Sequence, residues 1–428
     1  MWGVFMYVNN PEIKKDDVIY NSITYWNPSK TEEWLKQGID FVIGKRYGYF
    51  FEDMNGERFF DIHLNGGTYN LGHRNPEIVD ALTQAATELD VGNHHFPSIT
   101  KSLLAKKMAE CTPGALQYTI YSTGGGEAVD VAIKTARYTT KKRKIISLSG
   151  CYHGHTGLAV CTGDMMFRKP FLCEGSPDEF EQVPFEDIDA MEYVLKKGDV
   201  AAVIVETIPA TYGFPIPKAG YLKAIKNLCE KYDALYIADE VQTGLMRTGK
   251  LWGIEHENVE PDMLITAKGF GGGMYPIAAT VVNERCAGWL HEKGRMHGST
   301  CGGADIGCAV SLKVLDICTR PETVENVKFL ESYIRAGLER IQDLCPDFFV
   351  HIRQRGVILG LEFDYPEGAR YVMQALRKHG VWAIYSRLNP RILQFKLGLL
   401  ADKKYCNELL THLEAGILEA KNVCLTRC

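Results

Sequence analysis

Apolar positions along this chain follow two rhythms. Short unbroken runs, "KIISLSG" at 144–150, "VAAVIVET" at 200–207, "ALYIADE" at 234–240 and "MLITAKG" at 263–269, read as strands buried on both faces. Between them lie stretches with the helical period, such as "EAVDVAIKTARYTTKKR" at 127–143 and "AGYLKAIKNLCEKY" at 219–232. Strand and helix in alternation predict an α/β fold, a mostly parallel sheet between helices. The texture changes near residue 320. A long amphipathic helix, "PETVENVKFLESYIRAGLERIQDL", is followed by short strands around "VHIRQRGVILGLEFDY", the pattern of a smaller α+β domain. Near the start, "YGYFFEDMNGERFFDIHLNGG" reads as a hairpin turning at Asn55 and Gly56, which packs with the C-terminal part. The expected division is therefore an N-terminal segment at 1–65 belonging to the small domain, a large domain at 66–315, and the rest of the small domain at 316–428.

Composition narrows the field of functions. With 428 residues, 46% hydrophobic and 24% charged, the chain is long enough for a large core and more than one domain. A net charge of −5 provides no field to attract nucleic acid or an anionic membrane. No apolar run reaches a membrane-spanning length. The start, "MWGVFMYVNNPEIKKDD", has no basic region before its apolar residues, so a peripheral strand or an arm against a partner is the expectation rather than a signal peptide. Thirteen cysteines without a C-x-x-C pattern read as reduced thiols of a cytoplasmic protein, with Cys424 and Cys428 expected at the surface.

Chemistry is expected where ligands bind in such sheets, beyond the carboxyl ends of the strands. "YSTGGGEAVDVAIKTAR" runs glycines 124–126 into a helix, and the free N–H groups of that turn suit a phosphate. In "SGCYHGHTG", Tyr152 offers a ring to stack on a flat ligand, with His153 beside it. "DALYIADEVQTG" ends a buried strand in two carboxylates, Asp239 and Glu240, which calls for a cationic partner. In "MLITAKGFGGGMYPIAA", Lys268 leaves a strand for a glycine-rich turn, where desolvation favours the neutral amine that a Schiff base requires. Each stretch has a plainer reading: a tight turn, a filled loop, a strand-end acid, a lysine reaching water. "GLMRTGKL" at 244–251 matches G-x-x-x-x-G-K, but Leu251 stands where a P-loop needs Ser or Thr. His94 and His95 are adjacent and cannot share a helix face, so no metal is expected.

In this order and spacing, "GGGEAVDVAIKTAR", "YHGHT", "ADEVQTGLMRTGKLW", "DMLITAKGFGGGMYPIAA" and "HGSTCGG" make the chain resemble the class III aminotransferases. These are the ornithine/4-aminobutyrate group of the fold type I pyridoxal 5′-phosphate (PLP) enzymes. The resemblance implies that Lys268 links covalently to PLP and moves the proton, and that Asp239 pairs with the pyridine nitrogen. It implies Val241 and Tyr152 on the two ring faces, Gln242 at the phenolic oxygen, and backbone groups of Gly125 and Gly126 on the phosphate. His153 and Glu206 fall in the same cofactor site, Glu206 on its substrate side. Thr300 matches a residue reaching the phosphate of the neighbouring subunit, which implies a homodimer with shared sites.

The reaction so implied is transfer of an amino group between an amine or amino acid and a carbonyl acceptor, in two half-reactions. Racemases, epimerases, aminomutases and decarboxylases of the same family are the second reading. A non-catalytic binding protein is disfavoured by the presence of Lys268 and Asp239. After "VAAVIVET" the chain departs from many relatives: "ETIPATYGFPIP" has Thr207 and Thr211 where they carry proline and glutamate. In "NPRILQFKLGLL" the usual Pro-Pro is missing and Arg391 falls one residue early for a carboxylate-binding arginine. An altered glutamate–arginine switch, and a pocket for an ω-amine, diamine or aminosugar shaped by Tyr25, Trp26 and Tyr212, are expected.

Overall fold

The computed structural model describes residues 12–426. Its strands, in chain order, are β1 (Ile43–Tyr47), β2 (Phe50–Asp53), β3 (Arg58–Asp61), β4 (Leu116–Ser122), β5 (Lys144–Leu148), β6 (Phe180–Val183), β7 (Val200–Glu206), β8 (Leu235–Asp239), β9 (Met263–Thr266), β10 (Ala278–Asn283), β11 (Phe349–Arg355), β12 (Ile358–Phe363), β13 (Val381–Trp382), β14 (Ile384–Ser386) and β15 (Asn389–Lys396). Seven of them form the central sheet in the order β4-β10-β9-β8-β7-β5-β6. β9, β8, β7, β5 and β6 are parallel; β10 runs against both its neighbours. All seven residues of β7 are buried, as a strand covered on both faces requires. The helix Gly125–Thr140 packs its Ala- and Val-rich face on the sheet, and Tyr221–Lys231 buries Tyr221, Leu222, Ile225 and Cys229.

Two smaller sheets come from the chain's two ends. β1, β2 and β3 are completed by β13, which joins β3 in parallel with Val381 opposite Phe60. The turn between β2 and β3 has Gly56 at φ 83, and the Asp53 carboxylate accepts from the backbone N–H groups of Asn55 and Glu57. The second sheet, β11-β12-β15-β14, is antiparallel. Against it packs Pro321–Leu344, which buries Val327, Leu330, Ile334, Leu338 and Ile341 at helical spacing. The fold is thus an α/β large domain with a mostly parallel sheet and a smaller domain built from N- and C-terminal segments.

Some local expectations are corrected. Cys424, expected at the surface, is 2% exposed on the last helix, because its position continues the buried stripe Leu413, Ile417, Ala420. Cys428 and the N-terminal arm at 1–11 lie outside the described residues; residues 15–21 are helical. "GLMRTGKL" is an irregular turn with Leu245 and Met246 at positive φ, and only a short 3-10 turn, Gly253–Glu257, follows it.

Candidate active site

The parallel strands deliver their carboxyl ends to one edge of the sheet. Asp239 ends β8 and lies opposite Glu206, which ends β7, and opposite Ile265 on β9. Lys268 follows two residues after β9, and Tyr152 and His153 lie in the loop after β5. A cavity of about 450 Å³ opens over this edge. Gly125, Gly126, Tyr152, His153, Glu206, Asp239, Val241, Gln242 and Lys268 all line it.

Asp239 is 4% exposed, and its partner is now identified: Oδ2 lies 2.7 Å from His153 Nδ1, while Oδ1 accepts from the Val241 N–H at 3.1 Å. Burial disfavours the imidazolium, yet contact with Cys151 and the hydrogen bond to Asp239 outweigh it, and the His153 pKa lies well above the ordinary value. Glu206, buried, accepts from the N–H groups of Tyr152 at 2.8 Å and Ala210 at 3.2 Å. Burial pushes its pKa up to about 7, with the neighbouring Asp239 adding to the rise and His153 opposing it. It is a strand-end acid facing into the protein, not into solvent.

Lys268 donates to Gln242 Oε1 at 2.7 Å. Burial, then the Arg247 guanidinium, pull its pKa down to about 8 against upward pulls from Glu206 and Asp239. Its backbone has φ 52, in the left-handed region. Gln242 itself is buried, and its Nε2 has no partner among the described residues.

The glycines have steric reasons. The helix starting at Gly125 has no side-chain cap, so its first N–H groups face the cavity unclaimed by a capping side chain. A Cβ on Gly126 would meet Thr156 Oγ1 at 2.7 Å, and one on Gly154, at φ 116, would meet the Gly126 Cα at 2.7 Å. The loop carrying Tyr152 and the glycine turn at the start of the helix therefore touch backbone to backbone.

Glu240, the neighbour of Asp239 in the chain, turns away from this chemistry. It accepts from Thr207 and Thr243 hydroxyls at 2.5 and 2.7 Å and from the N–H groups of Gly253 and Ile254, both at 2.8 Å. Thr207 is thus a clamp on the turn after β8.

Other expectations fall elsewhere. Thr300 is exposed and does not line this chain's cavity. Tyr25 and Trp26 are 79% and 71% exposed, and Tyr212 lies over Gly150; none of the three lines the cavity. Arg391 pairs with Asp364 at 2.6 Å and donates to the Phe363 carbonyl, away from the site. Lining residues that the sequence reading passed over are Thr68, Thr123 and the stretch 273–277. For the last, the glycines after Lys268 were the available signal.

The family model of the class-III aminotransferases matches residues 34–417. The chain belongs to this family. A relative from Archaeoglobus fulgidus, called an uncharacterized aminotransferase, is 42% identical over 405 residues, covering 95% of this chain and 94% of that protein. Among solved structures, an ornithine aminotransferase of Toxoplasma gondii superposes with a TM-score of 0.85 at 27% identity, covering 96% of this chain and 95% of that one; its active site holds PLP at partial occupancy. An acetylornithine aminotransferase of Elizabethkingia anophelis gives 0.78 at 27% identity, covering 95% and 100%. The class III resemblance read from the motifs is therefore borne out, and this is a family whose fold binds PLP.

Proposed function

We propose that this family member is a PLP-dependent aminotransferase that passes an amino group between an amine or amino acid and a carbonyl acceptor. The observation that carries the reading is one cavity holding an amine with a lowered pKa, Lys268, and a buried carboxylate fixed by an imidazole, Asp239 with His153. The residues present fit the cofactor. Gln242 Nε2, buried and unpartnered, is available to the phenolic oxygen, and the uncapped N–H groups at Gly125 and Gly126 to the phosphate. PLP, when bound, supplies an electron sink for the carbon that loses its proton.

The chain's own residues do the rest. Asp239 keeps a proton on the ring nitrogen, and His153 holds the carboxylate in place through the 2.7 Å contact. Tyr152 and Val241, which line the same cavity, would confine the ring. Lys268, neutral in appreciable fraction near neutral pH, takes the proton from the substrate carbon and returns it to its new position. Glu206 borders the substrate side. Thr300 of a second copy completes the phosphate contacts in a homodimer, and its exposed position supports that. The cysteine usage supports a cytoplasmic location, and among the described residues no helix is long and apolar enough to cross a membrane. Thr207 and Thr211, in place of the family's usual residues, favour a reacting amine remote from any α-carboxylate, as in an ω-amine, diamine or aminosugar.

The test is to reduce the PLP-loaded protein with borohydride and map the modified lysine by mass spectrometry. Wild type should carry the adduct on Lys268, and Lys268→Ala should fold, bind PLP and carry none. An adduct of equal yield on another lysine of the variant would contradict the assignment.

A further inference from the structure

After Trp252, Arg247 is the largest fully buried side chain among the described residues, at 1% exposure. No carboxylate pairs with it there: burial pulls the guanidinium's pKa down to about 10, opposed only by the Cys318 thiol. A cation taken this far out of water destabilises the fold unless its N–H groups find acceptors. Two backbone carbonyls serve. Nε donates to the Gln242 carbonyl at 2.8 Å, and Nη1 donates to the Gly67 carbonyl.

Those carbonyls belong to two segments that both touch Lys268. The Gln242 side chain accepts from the Lys268 amine at 2.7 Å. Gly67 ends a strap, Leu64–Gly67, whose four successive residues have φ 50, 47, 67 and 91. A Cβ on Gly66 would lie 3.7 Å from Lys268 Cε, so the strap runs in contact range of the lysine's stem. Left-handed backbone at Leu64 and Asn65, which carry side chains, is unfavourable by itself and persists where neighbours enforce it. At the start of the strap Asp61 does so, accepting from the N–H groups of His63 and Leu64 at 3.0 and 2.7 Å. At its end stands the guanidinium, packed so closely that a Cβ on Gly67 would meet Arg247 Cζ at 2.7 Å. The surrounding backbone is tied to the small domain: Lys396 donates to Ile62, Leu399 to Asn70 and Val357 to Arg247, each from N–H to carbonyl at 2.8 Å.

We propose that Arg247 is a positioning residue of the PLP reaction: its guanidinium pins to each other the two segments that contact Lys268, the strap and the Gln242 turn, so that the amine is held in one orientation toward the cavity. The inference rests on the PLP reading of this site. It adds a role for the shape of the guanidinium, distinct from the effect of its charge on the Lys268 pKa. A lysine at 247 would keep the charge and lose the planar fork that reaches two carbonyls from separate nitrogens.

The test times covalent capture of PLP, in which the Lys268 amine replaces the aldehyde oxygen and water leaves, by absorbance with the full-length cofactor-free protein at saturating PLP. The pH is set above the amine's midpoint in each variant, which removes the effect of charge. Arg247→Lys and Arg247→Met should both remain about tenfold or more slower than wild type, as misplacement of a reacting group requires. Pyridoxamine 5′-phosphate, which cannot form the link, should bind both variants with unchanged affinity by calorimetry, because Arg247 does not line the cavity. Gly67→Ala sets a Cβ against the guanidinium and should slow capture likewise with the Arg247 charge kept, which serves if the Arg247 variants do not fold. Capture at the wild-type rate in Arg247→Lys or Gly67→Ala, or in Arg247→Met above its midpoint, would leave Arg247 its charge alone and overturn the proposal. A parallel loss of pyridoxamine 5′-phosphate binding, the mark of general damage, would overturn it too. If wild type forms no link between Lys268 and PLP, the cofactor reading itself fails, whatever the variants do.

Discussion

Lys268 combines a left-handed backbone, a hydrogen bond to Gln242 and a pKa lowered to about 8. Below that value the amine is an ammonium and cannot attack the cofactor's aldehyde; above it the free amine dominates. Covalent uptake of PLP by the cofactor-free protein should therefore rise with pH around a midpoint near 8. Absorbance followed over a pH series checks this, and a midpoint near 10, that of an ordinary lysine, would show that burial and Arg247 do not depress the amine's pKa. At this scale much of the site was legible. Tyr152, His153, Glu206, Asp239, Gln242 and Lys268 each stand at a strand end or in the loop after one, and an apolar run ending in a polar residue shows in one dimension. Hydrogen-bond partners do not show there. That His153 holds Asp239 and that Thr207 clamps Glu240 depend on contacts between residues 33 to more than 80 positions apart.

Among elements, the cavity is shaped by a helix start and a loop that touch. Gly154 at φ 116, facing the Gly126 Cα, leaves no room for a side chain. Gly154→Ala should cost about 1–3 kcal/mol of stability and weaken PLP binding, read by thermal unfolding and by cofactor titration. Full stability and affinity would show that the two segments can separate freely. Buried strands and amphipathic helices were readable because burial on two faces or one imposes a period on the sequence. The helices Pro76–Glu88 and Ile99–Cys111 were not singled out, though Asn75 caps the first by accepting from the N–H groups of Glu77 and Ile78. The second mixes polar and apolar residues around its circumference and buries only Leu104 and Met108. Cys424 was misplaced for a related reason: its burial comes from the phase of the whole last helix, not from the tail it precedes.

At the scale of the whole molecule, the two ends of the chain meet in one small domain. β13 completes the N-terminal sheet, and β15 sets Lys396 beside Ile62. In the proposed homodimer the exposed Thr300 of one copy reaches the site of the other, so sedimentation equilibrium should return twice the chain mass; a monomer with full PLP affinity would remove Thr300 from that proposal. Amino-group transfer is tested most directly by a single-turnover experiment. The purified PLP-loaded protein is mixed with a panel of amines and amino acids, without any carbonyl acceptor, while the cofactor spectrum is followed. Conversion to the pyridoxamine form by at least one donor is the predicted result. A cofactor that returns unchanged while the compound loses its stereochemistry or carbon dioxide would contradict it and make the protein a racemase or a decarboxylase.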